Sequence, residues 1–462
     1  MIVRKRVGAL LVVLAAAGAA AAQAPAAKPL GLAQAVTTAW ARYPGMTAAR
    51  QAAVAAGAQA DLARVAFWPN AGVTGQWDRA TDNATLGLSF ASPLPGISGT
   101  VPAADYSQSS AWTSAAGVYF SWEIADFGRR AANLRYFQEL AREGSAAADL
   151  VRLQVGAHAA DAWLNVRAAR EEVRVTQADV SRWQGLENIV DALVAQQLRP
   201  GADRSRAQAE LAAARIRASG ATRDLAAAQA TLAEALGLRP GEALPPLAGL
   251  PPAPPAPIVP SAAVPPQLRV RQDAVAAAGE EQEEIAREAL PRWYVLASDY
   301  GRGSGVLAAG KLAHGLTGLA PTTAANWALG VGLDFSFTRW RATRSEAAAA
   351  KAQAAAERAR QQQVEAQLEQ ARQLAAADWA AAQLVAQESP IGLAAAQTGE
   401  AQAKVRYQTG LASVADLENA EQLLTQADSD HALSQLQLWR ALLETVFAAG
   451  SLQPLLAASG GH

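Results

Sequence analysis

Between Arg341 and Ser389 the chain contains neither Gly nor Pro, and between Arg129 and Leu198 it has no Pro and only Gly144, Gly156 and Gly185. Uninterrupted stretches of this kind read as helices of roughly 50 to 70 residues, or about 75 to 105 Å at 1.5 Å per residue. Val364, Leu368, Ala371, Ala375, Trp379 and Ala382 recur at spacings of 4, 3, 4, 4 and 3. That is a coiled-coil seam padded with Ala. Val166, Val173 and Val180 recur every seven residues. Hydrophobic residues make up 51 % of the chain, but Ala carries much of that share. Small seam residues let helices approach closely, so these helices pack against neighbours along their length. Arg, Glu and Gln recur throughout the same runs, which leaves another side for water or a lumen.

A Pro-rich stretch, Arg239 to Pro266, divides the chain and reads as an extended connector. The parts on either side follow one order: a helical stretch, a strand beginning near a Pro, a Gly-rich loop, a second strand, then very long helices. Gly117-Val118-Tyr119-Phe120-Ser121-Trp122 aligns with Gly330-Val331-Gly332-Leu333-Asp334-Phe335, and Pro69 corresponds to Pro291. The chain therefore reads as a duplicated unit. Residues 23–238 form the first repeat, 239–266 the connector, 267–450 the second repeat and 451–462 a tail.

Four short segments break the helical pattern. In Trp112 to Ile124, Val118, Phe120, Trp122 and Ile124 share one face, against Thr113, Gly117, Tyr119, Ser121 and Glu123. In Trp327 to Thr338, Leu329, Val331, Leu333, Phe335 and Phe337 alternate with Gly330, Gly332, Asp334, Ser336 and Thr338. This is period two with an apolar outside and a small or polar inside. Asn70 to Gln76 alternates more weakly, and Arg292 to Tyr300 is ambiguous. Each segment approaches the ~9–11 residues of a membrane β-strand. Trp68 and Trp77, Trp112 and Trp122, Trp293 and Tyr300, and Trp327 and Trp340 bracket them, as expected of the aromatic girdles of an outer-membrane barrel. Val118, Phe120, Trp122, Val331, Leu333 and Phe335 are the expected lipid face. Four strands cannot close a membrane barrel, since the smallest have about eight, and hydrocarbon does not tolerate an open edge. Several chains must share the barrel, by arithmetic a dimer or a trimer.

Met1-Ile2-Val3-Arg4-Lys5-Arg6 and the apolar run Val7 to Ala22 form a secretory signal pattern, with cleavage after Ala22, which fits the small-x-small rule, or after Ala24, which would leave Pro25 first. The 40 Lys and Arg against 41 Asp and Glu give a net charge of -1, which argues against a nucleic-acid binder. With no Cys, disulfides, thiolate zinc, a Cys nucleophile and N-terminal lipidation are excluded. His158, His314, His431 and His462 lie far apart without ligand-spaced partners. Gly301-Arg302-Gly303-Ser304-Gly305 lacks the helix-opening Lys-Ser/Thr of a phosphate cradle. No nucleophile–base constellation and no cofactor motif is evident.

Further local motifs are Leu30-Gly31-Leu32-Ala33-Gln34-Ala35-Val36, Trp68-Pro69-Asn70, Asp126-Phe127-Gly128-Arg129-Arg130 and Val405-Arg406-Tyr407-Gln408-Thr409-Gly410 with Ser413, Asp416, Leu417 and Ala420. In this order, across about Leu30 to Gly450, they resemble the TolC-type outer-membrane efflux family. The resemblance implies a mixed fold of coiled-coil helices plus a β-barrel. Each chain of a homotrimer would give four strands to a twelve-stranded outer-membrane barrel, continued by a periplasmic helical tunnel. It implies outer-membrane lipid around the barrel, and docking to an inner-membrane pump through a periplasmic adaptor. It also implies a periplasmic tip gate, carried onto Tyr407, Gly410 and Asp416. Asn419 stands where a second Asp is expected and Ala412 where an Arg is expected. The matching tip of the first repeat presents Arg199, Asp203, Arg204 and Arg206. Arg beside Asp416 would offset a carboxylate ring. Asp416 and Asp126 also suit capping or turn roles. The function expected is a passive export channel of a tripartite efflux or secretion system. The rival is a periplasmic coiled-coil adaptor or spacer without a membrane barrel.

Overall fold

The computed structural model describes residues 29–81, 110–198, 200–252, 254, 264–305, 315–321 and 326–460. The signal segment, Arg199, His314 and His462 lie outside the described residues. The first repeat contains α1 (Leu32–Arg42), α2 (Pro44–Val65), β1 (Asn70–Thr81), β2 (Ser110–Ala125), α3 (Arg129–Ala195) and α4 (Gly201–Ala235). The second contains α5 (Pro266–Arg287), β3 (Arg292–Ser304), β4 (Asn326–Asp334), α6 (Phe337–Gln408) and α7 (Val414–Ala448), followed by α8 (Gln453–Ser459). The duplication is visible in the lengths: α2 and α5 have 22 residues each, α4 and α7 have 35, and α3 and α6 have 67 and 72.

The helical seam lies where the spacing puts it. Leu368, Ala375 and Ala382 of α6 are buried, with Val364, Ala371 and Trp379 half-buried beside them. Ala at these positions lets α6 and α7 close on each other with little side-chain bulk. Helix α6 continues through Pro390 to Gln408. Proline removes one backbone hydrogen bond, so packing along α7 carries the helix past it. At mid-length, α1 and α8 dock on α3 and α7. Trp163 is fully buried and its Nε1 donates to the Leu30 carbonyl at 2.9 Å. The connector joins this belt as Leu247 bridges Leu30 in parallel. The segment read as a tail supplies Leu455 of α8, which is fully buried. A second core, with Trp183, Leu211, Tyr407 and Leu417, fills the far end of the two long hairpins.

The four strands form one antiparallel sheet in the order β1-β2-β3-β4. One correction concerns β4, which ends at Asp334 rather than Thr338. Ser336 has extended backbone, and its hydroxyl accepts from the Arg339 N–H at 3.4 Å, so it caps α6. Phe337 and Thr338 thus belong to a helix, and Phe335 lies one residue beyond the strand.

Candidate functional site

The sheet and the far end of the hairpins hold the residues of interest. In β4 the pattern is strict: Trp327, Leu329, Val331 and Leu333 are exposed while Ala328, Gly330 and Gly332 are half-buried. The ladders carry this parity across the sheet. Val73 pairs with Val118, Phe120 with Ala297, Trp122 with Val295, and Val295 with Val331. One face is therefore open and apolar but for Asp299, which the row Val73–Val118–Asp299–Trp327 places on it. Val118, Trp122, Val331 and Leu333 are exposed on it, while Phe120 is half-buried. The opposite face carries Thr74, Gln76, Tyr119, Ser121, Tyr294, Ser298 and Tyr300. Strands β1 and β4 each keep one unpaired edge within the protomer.

At the base of β2, Phe127 and Gly128 take positive φ of 51° and 88°. Asp126 serves the turn: its carboxylate accepts from the Gly128 N–H at 3.1 Å and from the Arg130 N–H and Nε at 2.7 and 2.9 Å. Arg130 also donates to the Ala66 carbonyl at 3.1 Å and lies 5.2 Å over the Phe67 ring. This corner clamps the strand-to-helix junction to the entry of β1.

The far end holds two helical turns, α3 to α4 and α6 to α7. Gly410 has φ of 82°, a left-handed position open to glycine. Tyr407 is fully buried and its hydroxyl donates to Asp203 Oδ2 at 3.1 Å. Arg204 and Arg206 turn away from Asp416. Arg204 pairs with Asp191 at 2.7 Å, and Arg206 Nε donates to Glu418 at 2.6 Å. Asp416 closes a capping box: its Oδ2 accepts from the Ser413 N–H and hydroxyl at 2.9 and 2.8 Å, and the Ser413 hydroxyl accepts from the Asp416 N–H at 3.2 Å. Those Ser413 hydrogen bonds, with the charge of Arg406, hold this carboxyl below the usual range. Asn419 is exposed.

Sequence reasoning missed a polar ladder between α3 and α7. Glu172 accepts from Ser429 at 3.1 Å, Arg174 pairs with Asp428 at 3.1 Å, and Asp179 accepts from Thr425 at 3.0 Å. Arg182 lies 3.1 Å from Glu421. Asp179 and Glu421 are almost wholly buried, and Arg217 of α4 reaches Asp179 at 2.9 Å. The available signal was Leu417, Glu421, Leu424 and Asp428, which follow seam spacing with acids at alternate seam positions.

Among the described residues no helix is long and apolar enough to cross a membrane, and no three His, Cys, Asp or Glu are placed to hold a metal. A small antiparallel sheet with an apolar outer face and two open edges, continued by helices of about 100 Å, defines the protomer of a channel-and-tunnel protein. The family model described as outer membrane efflux protein matches residues 35–238. The outer-membrane channel OprN is similar with a TM-score of 0.73 at 19 % identity, over 91 % of this chain and 89 % of that one. VceC of Vibrio cholerae gives 0.76 at 15 %, over 91 % and 96 %, and the CmeC channel of Campylobacter jejuni 0.74 at 14 %, over 91 % and 85 %. No curated protein matches the sequence. The resemblance read from the sequence holds: the chain has the fold of the TolC-type outer-membrane efflux proteins.

Proposed function

We propose that three copies of this chain close a twelve-stranded barrel in the outer membrane. Their long helices would continue it as a tunnel through the periplasm, making a passive export conduit of a tripartite efflux or secretion system. The observation that carries this reading is the sheet, with an apolar face turned outward and both edges unpaired. Neither is stable in hydrocarbon unless other copies complete the sheet. A spacer without a barrel has no use for such a face. Val118, Phe120, Trp122, Val331 and Leu333 would meet lipid, with Phe335 at the periplasmic rim. A periplasmic adaptor and an inner-membrane pump would supply selection and energy.

The closed state would rest on ties between hairpins more than on a carboxylate ring. Tyr407–Asp203, Arg206–Glu418 and Arg182–Glu421 all join the α3/α4 hairpin to α7 or to the end of α6. Asp416 is engaged in a helix cap, and Asn419 carries no charge. Reconstitution into planar bilayers tests the whole reading. Purified protein should form discrete conducting steps and should need detergent to leave the outer-membrane fraction. Release by salt alone, with no conductance, would return the chain to the spacer class.

A further inference from the structure

The polar face of the sheet has an internal order. Its rows, read across β1 to β4, are Asn70–Ser121–Leu296–Gly330, Gly72–Tyr119–Ser298–Ala328 and Thr74–Gly117–Tyr300–Asn326. These three rows hold no charge. Charged side chains flank them, Glu123, Arg292 and Asp334 toward the helices and Asp78 and Arg302 toward the far rim. Each of the two tyrosine rows sets one phenol beside a glycine on a neighbouring strand. The two glycines serve different ends. A Cβ on Gly117 would fall 2.4 Å from Tyr300 Cβ and 2.5 Å from the Asp299 carbonyl oxygen. Strands β2 and β3 could not approach with any side chain there. The atoms a Cβ on Gly72 would meet first are the far end of a ring: Tyr119 Oη at 2.6 Å and its Cε1 and Cζ at 2.7 Å. The end of the Tyr119 ring therefore lies over the bare backbone of Gly72.

We infer that Gly72 is the seat of Tyr119 and that this pair sets the free width of the barrel at mid-height. This rests on the reading above that the polar face lines a lumen. With the ring down on Gly72, the wall presents a phenol face over a flat strand, and three such pairs would surround the axis of a trimer. A side chain at residue 72 lifts the ring off its seat, and the only open direction is into the passage. The atoms that must give way first belong to the movable ring end and not to the strand. With no charge in these rows, the restriction acts by size, and charge selection is left to the two rims.

The chain has no Cys, so a single Ser121→Cys variant reports one position. Ser121 lies one row on the helix side of Tyr119, and a reagent added outside must pass the Gly72–Tyr119 row to reach it. Thiol modification from the extracellular side should be compared for a small maleimide and a maleimide carrying a bulky polar group. Adding Gly72→Ala should slow the bulky reagent severalfold and the small one little, with trimer yield unchanged. Adding Tyr119→Ala as well should restore the bulky reagent to its starting rate. Slowing that persists without Tyr119, or no slowing at all, overturns the seat. If Ser121→Cys resists every water-soluble reagent while Val118→Cys reacts, the lumen assignment itself has failed and the inference with it.

Discussion

Tyr407 and Glu421 show how much of the behaviour of the tip rests on single buried polar groups. A hydrogen bond to a charged group contributes about 1.5–3 kcal/mol, and removing the Tyr407 hydroxyl leaves Asp203 without its donor from α6. Tyr407→Phe keeps the ring and its packing while deleting that bond. The closed state should lose about 1.5–3 kcal/mol, and each 1.4 kcal/mol is tenfold in an open-to-closed ratio. Open probability in single-channel records checks this, and unchanged gating would move the constraint elsewhere. Glu421 adds a pH dependence. Burial and the neighbouring Glu400 push its carboxyl up to about 7, against the pull of Arg182 and Lys404. A folded pKa above the unfolded one means that the folded hairpins hold an extra proton. That stabilisation is complete below the unfolded pKa of 4.5 and is lost as pH rises through about 7. The melting temperature should therefore gain from Glu421→Gln more at about pH 8 than at about pH 5.5, as the neutral amide keeps what deprotonation takes away. An equal gain at both pH values would show that Glu421 does not titrate in this range.

At the scale of elements, the strands and long helices obey different constraints. A strand in a membrane wall has two faces with opposite demands, so substitutions one residue apart should differ in kind. Leu329→Arg, on the apolar face, should cost about 2–4 kcal/mol at mid-bilayer. Ser121→Arg, on the polar face, should assemble and alter conductance. Folding yield in vesicles, followed by trimer migration on unheated gels, separates the two, and equal losses would refute the face assignment. Gly117→Ala should prevent assembly, since no displacement short of parting β2 from β3 makes room. The helices are held instead by a seam of Ala, Leu and Trp, interrupted by the Asp179, Arg182 and Glu421 ladder. Buried ion pairs add little net stability, but stripping the buried Asp179 carboxylate of Arg182 and Arg217 would leave its charge unpaired and cost about 3–5 kcal/mol. The ladder therefore specifies how two hairpins register more than how tightly they hold.

For the whole molecule, the decisive feature is incompleteness. Two open strand edges, an apolar sheet face and long exposed stretches of α2, α4 and α6 leave the lone protomer without the surface it needs. In detergent the folded protein should have the mass of a trimer, measured by light scattering corrected for bound detergent. A monomer with intact β-structure by circular dichroism would contradict the shared barrel. At mid-length α1, α8 and the connector share one core with α3 of the first repeat and α7 of the second, where Trp163 and Leu164 are buried with Trp439 and Leu442.

What the residues alone determined was periodicity. Ala, Leu and Trp at seam spacing dictate long paired helices, and alternation in Trp112 to Ile124 dictates a two-faced strand, because side-chain direction follows from local backbone geometry. The open-edge argument needs no coordinates either, since unpaired backbone in hydrocarbon is too costly to leave exposed. Contacts between distant segments were another matter. Ser336 looked like a strand residue until its place before α6 made it a cap. Arg204 and Arg206 looked like partners for Asp416, but they turn to Asp191 and Glu418, and Asp416 turns to its own helix end. No spacing in the chain reveals that Asp179 of α3 meets Thr425 of α7, or that Tyr119 lies on Gly72. Those pairings are decided by which helix faces and strand registers the fold brings together, and many partners of the right charge and size compete for each position until it does.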